Sequence, residues 1–223
     1  MAQLKRDRET MKSLGNVKKA EFIWDYYKVP IAIAAVVVFI LASLVSAAVT
    51  RGGNVLYVVM VNTGESPKED DPAKDVFEKI LTDAGVNMNG KKVSVENNYS
   101  LSFEDATDSD IATLQVLSAL FGIGDLDLFV SDKEVYDKFA IKNGFSDLRA
   151  FIEQDVLAAN QDKIYYFENE KGETVPVGIR VPADSVLTKE GICGPDMLVG
   201  IVSRAENADN AAKVLNSLLI VQN

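Results

Sequence analysis

Between Val29 and Val49 the chain runs for 21 residues without a charge, and only Pro30, Ser43 and Ser46 interrupt the aliphatic side chains. A helix needs roughly 20 apolar residues to cross the hydrocarbon core of a bilayer, so this run is long enough to span one. Pro30 falls in the first helical turn, where a missing N–H leaves no intrahelical bond unmade. A soluble core helix this apolar all round needs partner helices, and the polar residues 1–28 supply none. The flanks orient the span. Residues 1–28 carry seven Lys/Arg against four acids, net +3; residues 29–223 carry 16 basic and 29 acidic side chains, net −13. Basic flanks stay inside, which predicts a cytoplasmic N-terminus and a large part outside. Trp24, Tyr26 and Tyr27 precede the span as an interfacial aromatic belt.

The competing reading is a cleaved signal peptide, for which Val45-Ser46-Ala47 and Ser46-Ala47-Ala48 offer small-residue cleavage patterns. The apolar run exceeds the roughly 7 to 15 residues of a signal-peptide core, and the flank before it is long. The expected layout is a cytoplasmic tail over 1–28, a transmembrane anchor in the bilayer over 29–49, a linker over 50–53, and an extracytoplasmic domain over 54–223.

Composition narrows what that domain can do. The chain has no histidine. Ser-His-Asp and Cys-His nucleophile activation, His-ligated zinc and an ordinary near-neutral titrating group are therefore excluded. One cysteine, Cys193, rules out an intrachain disulfide and reads as small apolar filler. A charge of −13 argues against nucleic acid as a partner and against the domain lying on an anionic bilayer.

The pattern beyond the linker alternates strand and helix. "VLYVVMV" (55–61) reads as a strand buried on both faces. Asp71 and Pro72 open a helix whose apolar positions run to Ala84 before Gly85. Residues 91–97 read as a second strand. Residues 107–121 read as a helix with Thr107 and Asp110 in capping-box spacing and Ile111, Leu114, Leu117 and Phe121 on one face. "DLDLFV" (125–130) reads as a third strand, and Ser131 with Glu134 as the capping box of a helix over 133–142. Further helical turns over 145–159, a hairpin over 163–181 turning at Lys171-Gly172, a strand over 197–203 and a helix from about Asn207 complete the order. This predicts an α/β fold with a mainly parallel sheet.

Three segments resemble type 2 periplasmic (extracellular solute-binding) proteins: "GDLDLFVSDKEVYDKFAIKNGFSDL" (124–148), "VPVGIRVPADSVL" (175–187) and "LVGIVSRAENADNAAKVLNSLL" (198–219). The preamble "EFIWDYYK" is similar to that of single-span membrane proteins of Gram-positive, Clostridia-like bacteria that carry such domains. The resemblance covers about half the chain. It implies a non-catalytic, membrane-anchored module that holds a small polar solute for a transporter or a sensing system. Family members close two lobes on the ligand. The 172 residues after Arg51 are short for two, which implies one lobe, or one lobe with a remnant of the second around 145–181. The alternative is a cell-envelope scaffold or protein-interaction module without a ligand pocket.

In open α/β sheets a ligand lies beyond the carboxyl ends of the strands. Asn62 and Thr63, in the segment Asn62–Ser66, follow the first strand; Ser131 and Asp132 follow the third, at a helix N-terminus that offers backbone N–H groups to an anion; Arg180, with Pro182 and Asp184 beyond it, ends the hairpin. Asn62, Thr63, Ser131, Asp132 and Arg180 are thus the candidate ligand-binding residues, with no catalytic, metal or cofactor residue assigned. Each also has an ordinary reading: a turn, helix caps, a surface ion pair. Glu104, Asp105, Asp108 and Asp110 do not match a calcium-loop spacing. Asp125 and Asp127, two apart on a strand, read as solvated carboxylates rather than an acid/base pair, and the glycines form no phosphate fingerprint.

Overall fold

The computed structural model describes residues 53–64, 72–88, 90–169 and 171–220, all within the unit Gly52–Asn223. The anchor, belt and tail expected over 1–49 lie outside the described residues. Among those described, no helix is long and apolar enough to cross a membrane.

The elements follow as β1 (Asn54–Val61), α1 (Pro72–Asp83), β2 (Lys92–Tyr99), α2 (Asp108–Ile123), β3 (Leu128–Ser131), α3 (Lys133–Ala140), a 3-10 turn (Leu148–Ala150), α4 (Gln154–Ala159), β4 (Ile164–Glu168), β5 (Thr174–Arg180), α5 (Val186–Lys189), β6 (Leu198–Ile201) and α6 (Ala208–Leu219). Six strands form one sheet in the order β2-β1-β3-β6-β5-β4. β1 pairs parallel with β2 and β3, whereas β3–β6, β6–β5 and β5–β4 are antiparallel. The sheet is therefore mixed, which corrects the expectation of a mainly parallel one. A parallel crossover takes a helix that spans the sheet. Between β5 and β6 the described chain offers only the four-residue α5, so β6 turns back between β3 and β5. Those two reversals leave β5 running in the direction of β1 and β3. The ends of β1, β3 and β5 consequently share one edge.

β1 lies between β2 and β3 and is buried on both faces, as its uninterrupted apolar run requires. On one face, Phe77, Ile80 and Leu81 of α1 and Leu215, Leu218 and Leu219 of α6 pack on Leu56, Val58, Met60, Val130, Ile179 and Val199. Cys193 is buried in the same cluster, and burial pushes its thiol up to about 11. The other face is aromatic. Phe121 of α2 stacks on Phe139 of α3 at 4.4 Å, and Phe129 and Phe145 meet Phe121 edge-on. Tyr136 lies parallel to Phe145 at 4.0 Å.

Local chemistry sets the element ends. α2 opens on the expected capping box: Thr107 Oγ1 accepts from the Asp110 N–H, and Asp110 Oδ2 accepts from the Thr107 N–H at 2.9 Å. It closes on Gly124 at φ 89°, a left-handed turn that favours glycine. Ile111 does not join the buried face expected for it. It is 52 % exposed, whereas Leu117 of the expected face is buried, together with Leu120. β3 starts at Leu128 rather than Asp125 and extends through Ser131, which pairs with Leu198. The helix starts at Lys133 as expected, but that pairing holds Ser131 in the strand, so Asp132, not Ser131, caps α3 by accepting from the Val135 N–H at 3.0 Å. The hairpin turns where Asn169 Oδ1 accepts from the N–H groups of Lys171 and Glu173.

The α2 cap carries a pH prediction. Hydrogen bonds from Thr107, then Ser102, hold the Asp110 carboxyl down to about 2 against its usual 3.8. With the folded pKa depressed, this contribution is present above the unfolded value and lost as pH falls from 3.8 towards about 2. An Asp110→Asn variant is expected to show a shallower acid limb over that interval in pH-dependent denaturation. An unchanged limb would contradict the cap's role.

Candidate functional site

The carboxyl edge of the sheet brings together four of the five candidates as bonding partners or neighbours in one row, though not around a cavity. Asn62 leaves β1 in the left-handed region at φ 58°, a conformation asparagine tolerates. Its backbone N–H donates to the Tyr99 carbonyl at 3.1 Å. Its Nδ2 donates to the Leu101 carbonyl at 2.7 Å and to Asp132 Oδ2 at 2.6 Å, while its Oδ1 accepts from the Leu101 N–H at 2.9 Å. The remaining Asp132 oxygen is the α3 cap. Amide and carboxylate thus fasten the exits of β1, β2 and β3 to one another. Thr63 is half-buried beside them; Glu65 and Ser66 lie outside the described residues.

Ser131 is fully buried, and its Oγ donates to the Asp132 carbonyl at 3.0 Å. Ser131 and Arg180 both pair with Leu198. The row Ser131–Leu198–Arg180 therefore crosses three strands, which separates the outer two by about 10 Å. Leu198, fully buried, fills the gap between them.

Arg180 heads a second group. Its guanidinium lies 5.6 Å from the Tyr165 ring centroid, and Lys133 Nζ lies 5.5 Å from the same ring. Tyr165 donates its hydroxyl to Asp137 Oδ1 at 2.5 Å, and Lys133 meets Asp137 Oδ2 at 2.5 Å. Burial, then the Asp137 hydrogen bond, pushes the Tyr165 phenol up; the hydrogen bond to Asp137 raises Lys133. Lys133 is neutralised, but Arg180 has no carboxylate partner among the described residues. The surface ion pair open to it in the sequence does not form there. Sequence reasoning missed Lys133, Asp137 and Tyr165. The i,i+4 spacing of Lys133 and Asp137 on α3 was the available signal, whereas Tyr165 joins them only through β4–β5 pairing.

Two surface cavities open elsewhere. One of about 530 Å³ lies between α1, α5 and α6, with Val76, Ile80 and Ile220 on its apolar side and Asp83, Lys189 and Lys213 among its charges; Asp184 reaches its edge. A second, of about 270 Å³, lies beside the hairpin among Phe145, Asp147, Arg149, Phe167 and Glu173. None of the five candidates lines either cavity. Pro182 is occupied structurally, its carbonyl accepting from Thr188 Oγ1.

The acidic residues divide in the same way. Asp110 is taken up by its cap, with Oδ1 accepting from the Ser102 N–H. Among the described residues, no three His, Cys, Asp or Glu side chains are placed to hold a metal ion. Asp127 corrects the reading as a solvated carboxylate: it is fully buried and accepts from the Tyr57 and Asn207 N–H groups. No family model, curated protein or solved structure matches the chain.

Proposed function

We propose that the chain is a non-catalytic, membrane-tethered extracytoplasmic module that works through protein contacts at the cell envelope. The observation that carries this reading is the Asn62–Asp132 bond of 2.6 Å. The polar side chains suited to grasp a solute at the strand ends are spent on one another, on Leu101 and on the α3 cap. A solute entering there has to displace bonds that hold three strand exits in place. The anchor over 29–49 and the acidic outer domain supply the tethering half of the proposal.

One observation favours the solute-binding alternative, in which the module serves a transporter or sensor. Arg180 is half-buried against Tyr165 without a carboxylate partner among the described residues, a placement suited to a carboxylate-bearing solute. A thermal-shift screen of the full chain in detergent against amino acids, sugars, oligopeptides, anions and divalent metals separates the two. The contact reading expects no saturable rise, together with a defined protein adduct on cross-linking of intact cells. A saturable rise for a carboxylate-bearing solute that Arg180→Ala abolishes would overturn it in favour of solute binding.

A further inference from the structure

The cavity of about 530 Å³ between α1, α5 and α6 falls within the roughly 300 to 1,000 Å³ of small-molecule sites. Two helices supply its apolar side. Val76 and Ile80 stand one turn apart on α1, and Leu218 and Ile220 come from the end of α6. Lys213, Asn216 and Ser217 of α6 line it too, and spacings of three and four put them on one helix face. All three are half-buried. None of their side chains has a hydrogen-bond or ion-pair partner among the described residues. Polar groups partly withdrawn from water in this way gain from a ligand that satisfies them.

The three groups agree on one kind of partner. The Lys213 ammonium only donates, and the Asn216 amide and Ser217 hydroxyl can donate beside it. The group all three serve at once is an anionic oxygen acceptor, and a carboxylate offers two such oxygens. The charges on the lining sort in the same sense. Of Lys79, Asp83, Asp184, Lys189, Glu190 and Lys213, all are exposed except Lys213. Exposed charges act through water and are screened, so those at the rim weigh less than the one cation held against apolar surface. The exposed acids do disfavour a second negative charge on the ligand. We propose that this cavity binds a small monocarboxylate with an apolar body. Its head meets Lys213, Asn216 and Ser217, and its body covers Val76, Ile80, Leu218 and Ile220. Inorganic anions and sugars leave that apolar side uncovered, and a free amino acid brings a second ammonium to Lys213. The inference goes beyond the proposed function and holds alongside it, since none of the five carboxyl-edge candidates lines this cavity.

The test titrates octanoate into the full chain in lipid nanodiscs, with empty nanodiscs as the blank, and follows binding by calorimetry. Saturable binding of one octanoate per chain is expected. Octan-1-ol, which keeps the body and loses the charge, is expected to bind at least tenfold more weakly, and octylammonium not to bind. Lys213→Met keeps the stem of the side chain and is expected to weaken octanoate at least tenfold. Ala84→Trp leaves every charge in place and fills the cavity from an exposed lining position, so binding should be lost. Circular dichroism verifies the folding of each variant. Arg180→Ala is expected to bind octanoate as the wild type does. Absence of saturable octanoate binding overturns the site, as does octylammonium binding as tightly. Octanoate binding that survives Lys213→Met unchanged, or that Arg180→Ala abolishes, overturns it too, the latter by placing the carboxylate at the strand ends instead.

Discussion

Asp127→Ala is expected to lower the unfolding free energy by about 3 kcal/mol or more, since it removes the acceptor of several buried donors at once. Asp127 is fully buried. Its Oδ2 accepts from the Tyr57 N–H at 2.8 Å and from Asn207 Nδ2 at 3.1 Å, and its Oδ1 accepts from the Asn207 N–H at 2.8 Å. Its own N–H and carbonyl reach Tyr57 O and Val202 N at 3.0 Å each. A single residue therefore ties β1 to the exit of β6 and to the start of α6. Alanine strips Tyr57 of this acceptor inside the core, where water cannot replace it. Asp127→Asn keeps the shape but sets an NH2 group against an N–H donor, and a loss of about 2 kcal/mol is expected. The pH dependence separates the two roles of the carboxyl. Burial raises its pKa above the usual carboxylate value, while the Asn207 and Tyr57 N–H groups pull it back. A raised folded pKa gives a contribution that is full below the unfolded value and lost as pH rises through the folded one. The stability gap between wild type and Asp127→Asn should narrow as pH rises above the usual carboxylate value of 3.8 in urea titrations. A gap that widens would mean that the ionised form is the one the fold prefers.

That residue also marks the limit of what the sequence shows. The alternation in "DLDLFV" places a strand near 125–130, but nothing local says that Asp127 turns inward. The donors that make its burial tolerable, Tyr57 and Asn207, lie 70 and 80 residues away. Elements written by local chemistry are legible: the apolar run of β1, the Pro72 start of α1, the Thr107–Asp110 box, the Lys171-Gly172 turn. Strand direction is not local. The short α5 was the only hint that β6 reverses, and its four residues are too few to announce themselves. Ser131 and Asp132 illustrate the same competition at one site. Both are good caps, and pairing with Leu198 decides between them. The exposure of Ile111 was hidden because α2 is apolar nearly all round, so periodicity does not say which side faces out. Asn62 and Asp132 could be named for their place at the strand ends. Their bond to each other, which turns a candidate ligand site into a fastening, depends on the loop that carries Leu101 between them.

The aromatic face depends on two absent side chains. Gly178 and Gly200 stand on neighbouring strands, beside the paired residues Ile179 and Val199, and Tyr136 lies against both. A Cβ at either position would overlap the Tyr136 hydroxyl, which donates to the Val177 carbonyl at 2.8 Å. Glycine is required here for close approach, not for its backbone angles. The two sites differ in what else a methyl would meet. At Gly178 the other close atoms are Tyr136 Cζ and Val199 O, each at 3.0 Å; at Gly200 the Val177 carbonyl oxygen lies at 2.7 Å. Gly178→Ala is therefore expected to cost about 2 kcal/mol through overpacking, and Gly200→Ala about 3 kcal/mol, because backbone yields less than a side chain. Tyr136→Phe alone gives up a buried hydrogen bond, worth about 1 kcal/mol. Combined with Gly178→Ala it removes the hydroxyl that the methyl would strike, so the double variant should be more stable than the sum of the single losses by at least about 0.5 kcal/mol. Combined with Gly200→Ala it leaves the carbonyl clash in place, and the rescue should be smaller. Equal rescue at both sites, measured by chemical denaturation, would mean that the hydroxyl alone requires the glycines and that the β5 backbone can give way.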